Sequence, residues 1–110
     1  MGSRCKHSIA HFAGAHAGIC NGIFHVYVTD CNGTVLLDKG WTYCMNPEIF
    51  YWDGAPNMYC VHAYPQTHPR RNRYIQIENR DSCIQLSGDE EKWSWSETNM
   101  LKCKDNAPHS

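Results

Sequence analysis

The sequence predicts an all-β fold, mainly antiparallel: a small disulfide-stapled β-sandwich or barrel with a short N-terminal arm or helix. Three observations carry that reading. From Gly22 onward, β-branched and aromatic residues alternate with polar ones at period two. Turn-forming residues interrupt the alternation every eight to twelve positions, the spacing of sandwiches and small barrels. Seven cysteines in 110 residues supply covalent staples at a density that is ordinary for secreted proteins and unusual in a reducing cytosol.

The elements follow in order. His7 to Ile19 is rich in Ala, Gly and His, with Ile9, Phe12 and Ala13 at helical spacing. Gly14 and Gly18 each weaken a helix there by about 1 kcal/mol, so a short helix and an extended arm both remain open. Ile23 to Thr29 is a strand with Phe24, Val26 and Val28 on one face. Asp30 to Gly33 turns the chain, Asn-Gly being the strongest short hairpin signal, and Thr34 to Leu37 returns. Asp38-Lys39-Gly40 reads as a second turn, followed by a strand from Trp41 to Met45. Pro47 to Trp52 is an aromatic strand closed by Asp53 to Pro56, and Asn57 to Tyr64 is the next, cut off by Pro65. Arg73 to Glu78 alternates, with Ile75 and Ile77 on one face. Cys83 to Leu86 and Trp93 to Glu97 follow, separated by a Gly-Asp-Glu-Glu turn, and Asn99 to Cys103 closes the fold.

The chain is long enough for one domain and not for two. Residues 4–110 are read as a single secreted β-rich domain that starts near Arg4, with Met1-Gly2-Ser3 as a cloning scar. A formal net charge of −1 makes the whole chain no generic binder of nucleic acid. No apolar run approaches the length of a transmembrane helix, and no cationic amphipathic segment suggests membrane insertion.

The cysteines are Cys5, Cys20, Cys31, Cys44, Cys60, Cys83 and Cys103, and the smallest gap between them is eleven. Zinc sites usually show cysteine pairs two to four residues apart, so disulfides are the expected use. Seven is odd, and one thiol is left over. It is buried and free, or it joins two chains, in which case a turn or terminal position, Cys31 or Cys5, suits it best. Seven choices of orphan and fifteen pairings of the rest leave 105 connectivities open. No cysteine is marked as an activated nucleophile.

Four groups of residues bear on function. His7 and His11 would share one face of a helix and could reach one metal, with His16 nearby, but a third ligand and the zincin glutamate are missing, so no metal or cofactor is expected. Arg70, Arg71 and Arg73 form a basic loop flanked by Tyr64 and Tyr74, able to hold an anionic partner or to be a plain solvated turn. Trp93 and Trp95 lie on one face of a strand, a platform for sugar rings or a partner protein if exposed and core if buried. Trp41 and the cluster Phe50, Tyr51 and Trp52 are read as core or interface. His62, Glu78 and Arg71 have the residue types of a ribonuclease site without any local motif. Asn32-Gly33-Thr34 is an N-glycosylation sequon and a tight turn at once.

The short mature chain, the cysteines spread from Cys5 to Cys103 and the strand-rich body with a polar arm resemble the small cysteine-rich secreted proteins of filamentous fungi, among them effectors and elicitors sensed by plant hosts. The likeness is one of type over the whole chain, and no site residue carries over. It implies a non-enzymatic, extracellular role based on surface recognition of a host or cell-surface protein or glycan, and the odd cysteine allows a homodimer. A carbohydrate-binding module using Trp93 and Trp95, or a small secreted ribonuclease-like hydrolase, are the competing readings.

Overall fold

The alternation that begins at Ile23 becomes strand β3 (Ile23–Asp30), whose Phe24, Val26 and Val28 are fully buried. A computed structural model describes residues 7–12, 20–45, 48–53, 57–78 and 82–98. Around β3 lie β1 (His7–Phe12), β2 (Cys20–Asn21), β4 (Val35–Tyr43), β5 (Glu48–Asp53), β6 (Met58–Pro65), β7 (Arg73–Glu78), β8 (Ser82–Asp89) and β9 (Trp93–Thr98). No helix occurs among the described residues. The all-β expectation holds, and the strands sort into two sheets.

The first sheet is wholly antiparallel, in the order β4-β3-β6-β7. The β3–β4 turn is closed by its Asn-Gly pair. Gly33 takes a positive φ of 94°, and the Asp30 carboxylate accepts the N–H groups of Asn32 and Thr34, each at 2.9 Å. The second sheet centres on β8. Strand β9 pairs with one edge of β8, antiparallel; β1 and β2 share the other edge, both parallel to it, and β5 lies outside β1.

Two sequence expectations need correction. Residues 7–12 are not a helix: the chain is extended there, as a strand hydrogen-bonded to β5 and β8. The helical spacing there is weak, and pairing on both edges outweighs it. Residues 13–19, including His16, and residues 99–103 lie outside the described residues. Second, Asp38-Lys39-Gly40 does not turn the chain. Strand β4 runs on through it, Val26 facing Gly40 and Tyr27 facing Asp38, so Lys39 is the extra residue of a β-bulge. Gly40 supplies a φ of 71°, and the Asp38 carboxylate accepts its N–H at 2.8 Å.

The inner faces of the two sheets build one core. Phe24, Val28, Tyr59, Val61 and Ile77 from the first meet Phe50, Ile84, Leu86 and Trp93 from the second. Phe24 and Trp93 pack edge to face across it, with centroids 5.5 Å apart. The buried Tyr59 hydroxyl and the Ser82 hydroxyl bond at 2.6 Å, tying β6 to β8. Cys20 of β2 and Cys44, just past β4, form a fully buried disulfide that joins the sheets at one end. Edges β4 and β5 lie alongside each other, as do β7 and β9, without strand pairing among the described residues, so the architecture is a sandwich.

Candidate recognition face

The core-facing residues of β3 and β6 fix which side chains must face outward. With Phe24, Val26 and Val28 buried on β3, and Tyr59, Val61 and Ala63 buried on β6, strand alternation presents His25, Tyr27, His62 and Tyr64 on the outer side. Trp41 stands opposite His25 on β4, and Tyr74 opposite His62 on β7. These six rings thus share one sheet face.

They form two rows. In the first, His25 stacks on Tyr64 at 5.1 Å and 14°, while Trp41 meets both edge-on, at 5.0 and 5.5 Å. In the second, Tyr27 stacks on His62 at 4.6 Å and 4°, and Tyr74 tilts against His62 at 5.3 Å. Contacts between His25 and Tyr27 and between Tyr27 and Tyr64 join the rows. The stacked pairs are about one inter-strand spacing apart, roughly 4.8 Å. Rings parallel at that separation stand upright on the sheet, so the centre of the face offers ring edges. Trp41 and Tyr74, at the flanks, are 53% and 59% exposed.

A polar network orients the upright rings. His25 Nε2 meets the Asp38 carboxylate at 2.8 Å. The Gly40 N–H and then His25 hold that carboxyl below its usual value, against the effect of burial. His62 Nε2 bonds the Thr29 hydroxyl at 2.8 Å, and its Nδ1 faces Asn72 Oδ1 at 3.3 Å. The Asn72 amide in turn donates to the Tyr27 hydroxyl. Since Asn72 Oδ1 can only accept, Nδ1 carries the proton, and Nε2 accepts from Thr29.

Burial lowers the pKa of His62 from its ordinary 6.5, and the Asn72 bond offsets this only in part. A histidine lowered in the fold contributes stability that is present above the unfolded value and lost as pH falls through the folded one. The Tm of the wild type should therefore drop more steeply below about pH 6.5 than that of His62→Gln. Thermal melts from pH 7.5 to 5 check this, and parallel curves would exclude His62 as the titrating group.

The arginines of the basic loop are exposed, and two of them are engaged with the β8–β9 hairpin. Arg71 donates to the Glu91 carbonyl at 2.9 Å, and His68 meets the Glu91 carboxylate at 2.7 Å. Glu90 is partly desolvated, yet bonds from the Ile23 N–H and from Thr67 hold its pKa below normal. The Arg73 guanidinium lies 5.1 Å over the Trp93 ring and donates to the Trp93 carbonyl, while Trp95 Nε1 donates to the Arg73 carbonyl. Arg71 and Arg73 thus bind the loop to the β8–β9 hairpin, while all three arginines stay exposed.

The other sequence candidates are placed as follows. Trp93 is 2% exposed and Trp95 half-buried against the core, so they make no exposed platform. Trp41 is on the surface instead of in the core, whereas Phe50 is fully buried. The ribonuclease types are not brought together: Glu78 pairs with Met58, four residues along β6 from His62, and Arg71 is held by Glu91. His7 and His11, four residues apart on a strand, have Cα atoms roughly 13 Å apart, so the shared helical face does not exist. No three His, Cys, Asp or Glu side chains among the described residues are grouped to hold a metal ion. Asn32 is exposed in its turn. Cys83 is also disulfide-bonded, Cys31 and Cys60 are free thiols, and Cys5 and Cys103 lie outside the described residues.

No local motif marks His25 or Tyr27, and His62 stands out in the sequence only as a residue type for hydrolysis. The signal was present in the outward positions of the two strongest strands, His25-x-Tyr27 and His62-x-Tyr64, which carry rings where solvated strands carry charges. No protein-family model, no curated protein and no solved structure matches the chain.

Proposed function

We propose that this is a secreted, non-enzymatic interaction protein, effector- or elicitor-like, that recognises a partner protein outside the cell through the outer face of the β4-β3-β6-β7 sheet. One observation carries the reading. Of the seven large hydrophobic residues exposed among the described residues, five fall on this face: Ile23, Val35, Trp41, Tyr43 and Tyr74. Such clustering marks a surface built to be covered.

Its composition indicates the partner. Aromatics are enriched and charge is sparse, as at the centre of a protein–protein interface. The outward charged groups are the carboxylates Asp38 and Glu78, with no Lys or Arg among them, which disfavours a polyanion. The aliphatic Ile23 and Val35 suit an apolar protein surface better than a sugar chain. The buried Cys20–Cys44 disulfide and the cysteine density support an extracellular setting.

The test is binding of the labelled chain to intact plant cells, with Trp41→Ala and Tyr74→Ala as variants. Each truncation should weaken binding at least about tenfold, as interface hot spots do, while the Tm stays within about 2 °C of wild type because both rings are exposed. Protease treatment of the cells should abolish binding. Binding that survives it and is competed by soluble polysaccharide would give the face to a glycan. A wild type that is dimeric by light scattering and becomes monomeric in Trp41→Ala would show self-association. Unchanged binding by both variants would refute the assignment.

A further inference from the structure

Two free thiols meet at the end of the ring rows. Cys60 lies on β6 opposite Thr29, and Cys31 sits in the turn just beyond β3. The Asp30 carboxylate pins that turn through the N–H groups of Asn32 and Thr34, which holds Cys31 beside Cys60. The two side chains are in hydrogen-bonding contact and line a shallow pocket of about 230 Å³ with Thr29, Asp30, His62 and Tyr74. Cys31 is exposed, whereas Cys60 is only 7% exposed.

We propose that Cys31 and Cys60 are the two halves of a further disulfide, formed in an oxidising compartment and exchangeable through the exposed sulfur of Cys31. The oxidant is a small disulfide such as oxidised glutathione. The Cys31 thiolate attacks one of its sulfurs, the small S–S bond breaks, and one small thiol leaves. The Cys60 thiolate then attacks the Cys31 sulfur of the mixed disulfide and expels the second small thiol. Two protein thiols are oxidised to one S–S bond, the small disulfide is reduced to two thiols, and the two protons pass to the leaving thiolates. Burial, then the neighbouring Cys31 and Asp30, raise the Cys60 thiol to about 11, so Cys31 is the sulfur that attacks first.

Two consequences follow from the positions. The odd sulfur of the seven is neither Cys31 nor Cys60, so a link between chains through Cys31 does not form. And the new bridge, with one sulfur at the surface, is reduced before Cys20–Cys44, whose residues are both buried.

The experiment refolds the full reduced chain in a mixture of oxidised and reduced glutathione. After an acid quench, thiols are blocked with N-ethylmaleimide in denaturant, and the digest is read by mass spectrometry. A cross-linked peptide pair containing Cys31 and Cys60 is expected, and Cys31→Ser should leave Cys60 blocked as a new thiol. A brief exposure to dilute dithiothreitol should open this bridge while Cys20–Cys44 stays closed. Recovery of Cys31 and Cys60 as blocked thiols alongside an intact Cys20–Cys44 bridge would overturn the proposal. So would Cys31 joined to any other cysteine or to a second chain.

Discussion

Trp93→Ala is expected to cost about 3–5 kcal/mol of stability. The indole is 2% exposed, packs edge to face on Phe24, and carries the Arg73 guanidinium on its other contact surface. It stands on β9 at the seam between the sheets, so truncation removes apolar burial and leaves a cavity that two hydrogen-bonded sheets cannot close. It also frees Arg73, whose backbone carbonyl anchors Trp95. A loss of that size lowers the Tm by well over 10 °C in a domain of this length, roughly 4 °C or more per kcal/mol. Urea and thermal unfolding measure it. A cost below about 1 kcal/mol would mean that Trp93 does not fill the space between the sheets. Trp41→Ala serves as the control, since a similar ring removed from the surface should change stability little.

Removal of the Cys20–Cys44 bridge by a double alanine substitution is expected to cost roughly 3–4 kcal/mol, mostly by enlarging the freedom of the unfolded chain. The closed loop spans 24 residues and contains β3 and β4, so its opening releases the strand pair at one side of the first sheet. The bridge also holds β2, which has only two residues to pair with β8. The midpoint of urea unfolding reports the loss, and a midpoint equal to that of wild type would show that strand pairing alone fixes this end of the sandwich. Both cysteines are buried, so dithiothreitol should reduce this bond only as fast as the protein opens.

Where local chemistry and tertiary structure agree, the fold was readable from the residues. Strand β3 buries Phe24, Val26 and Val28 in alternation and ends in Asp-Cys-Asn-Gly; Ile75 and Ile77 mark β7; and β8 and β9 flank a turn whose Asp89 carboxylate caps Glu91 and Lys92. The failures share a cause. A β-bulge and a tight turn use the same residues, so Asp38-Lys39-Gly40 is ambiguous until β3 is seen to pair on both sides of it. Strand β1 is specified by partners near residues 50 and 83, which no local window contains.

The aromatic sheet face is half visible in the sequence. Alternation shows that Trp93 and Trp95 share a side and that His25 and Tyr27 share a side, but it does not say which side another sheet covers. That depends on the Arg73–Trp93 and Phe24–Trp93 contacts across the sandwich. The contact between Cys31 and Cys60 was hidden for the same reason, because it follows from the register that sets Thr29 opposite Cys60.

The shared edge of β8 also constrains the timing of assembly. Strands β1 and β2 are made first but hydrogen-bond to residues about seventy positions later in the chain. During synthesis on the ribosome, β3, β4, β6 and β7 can pair as soon as Glu78 has emerged, with connections of modest length. The second sheet must wait for β8, leaving β1 and β2 with an unpaired edge in the meantime. Contacts so distant along the chain slow folding, and an open strand edge invites pairing with other chains. Completion of the sandwich is therefore a late event, set by the arrival of one strand.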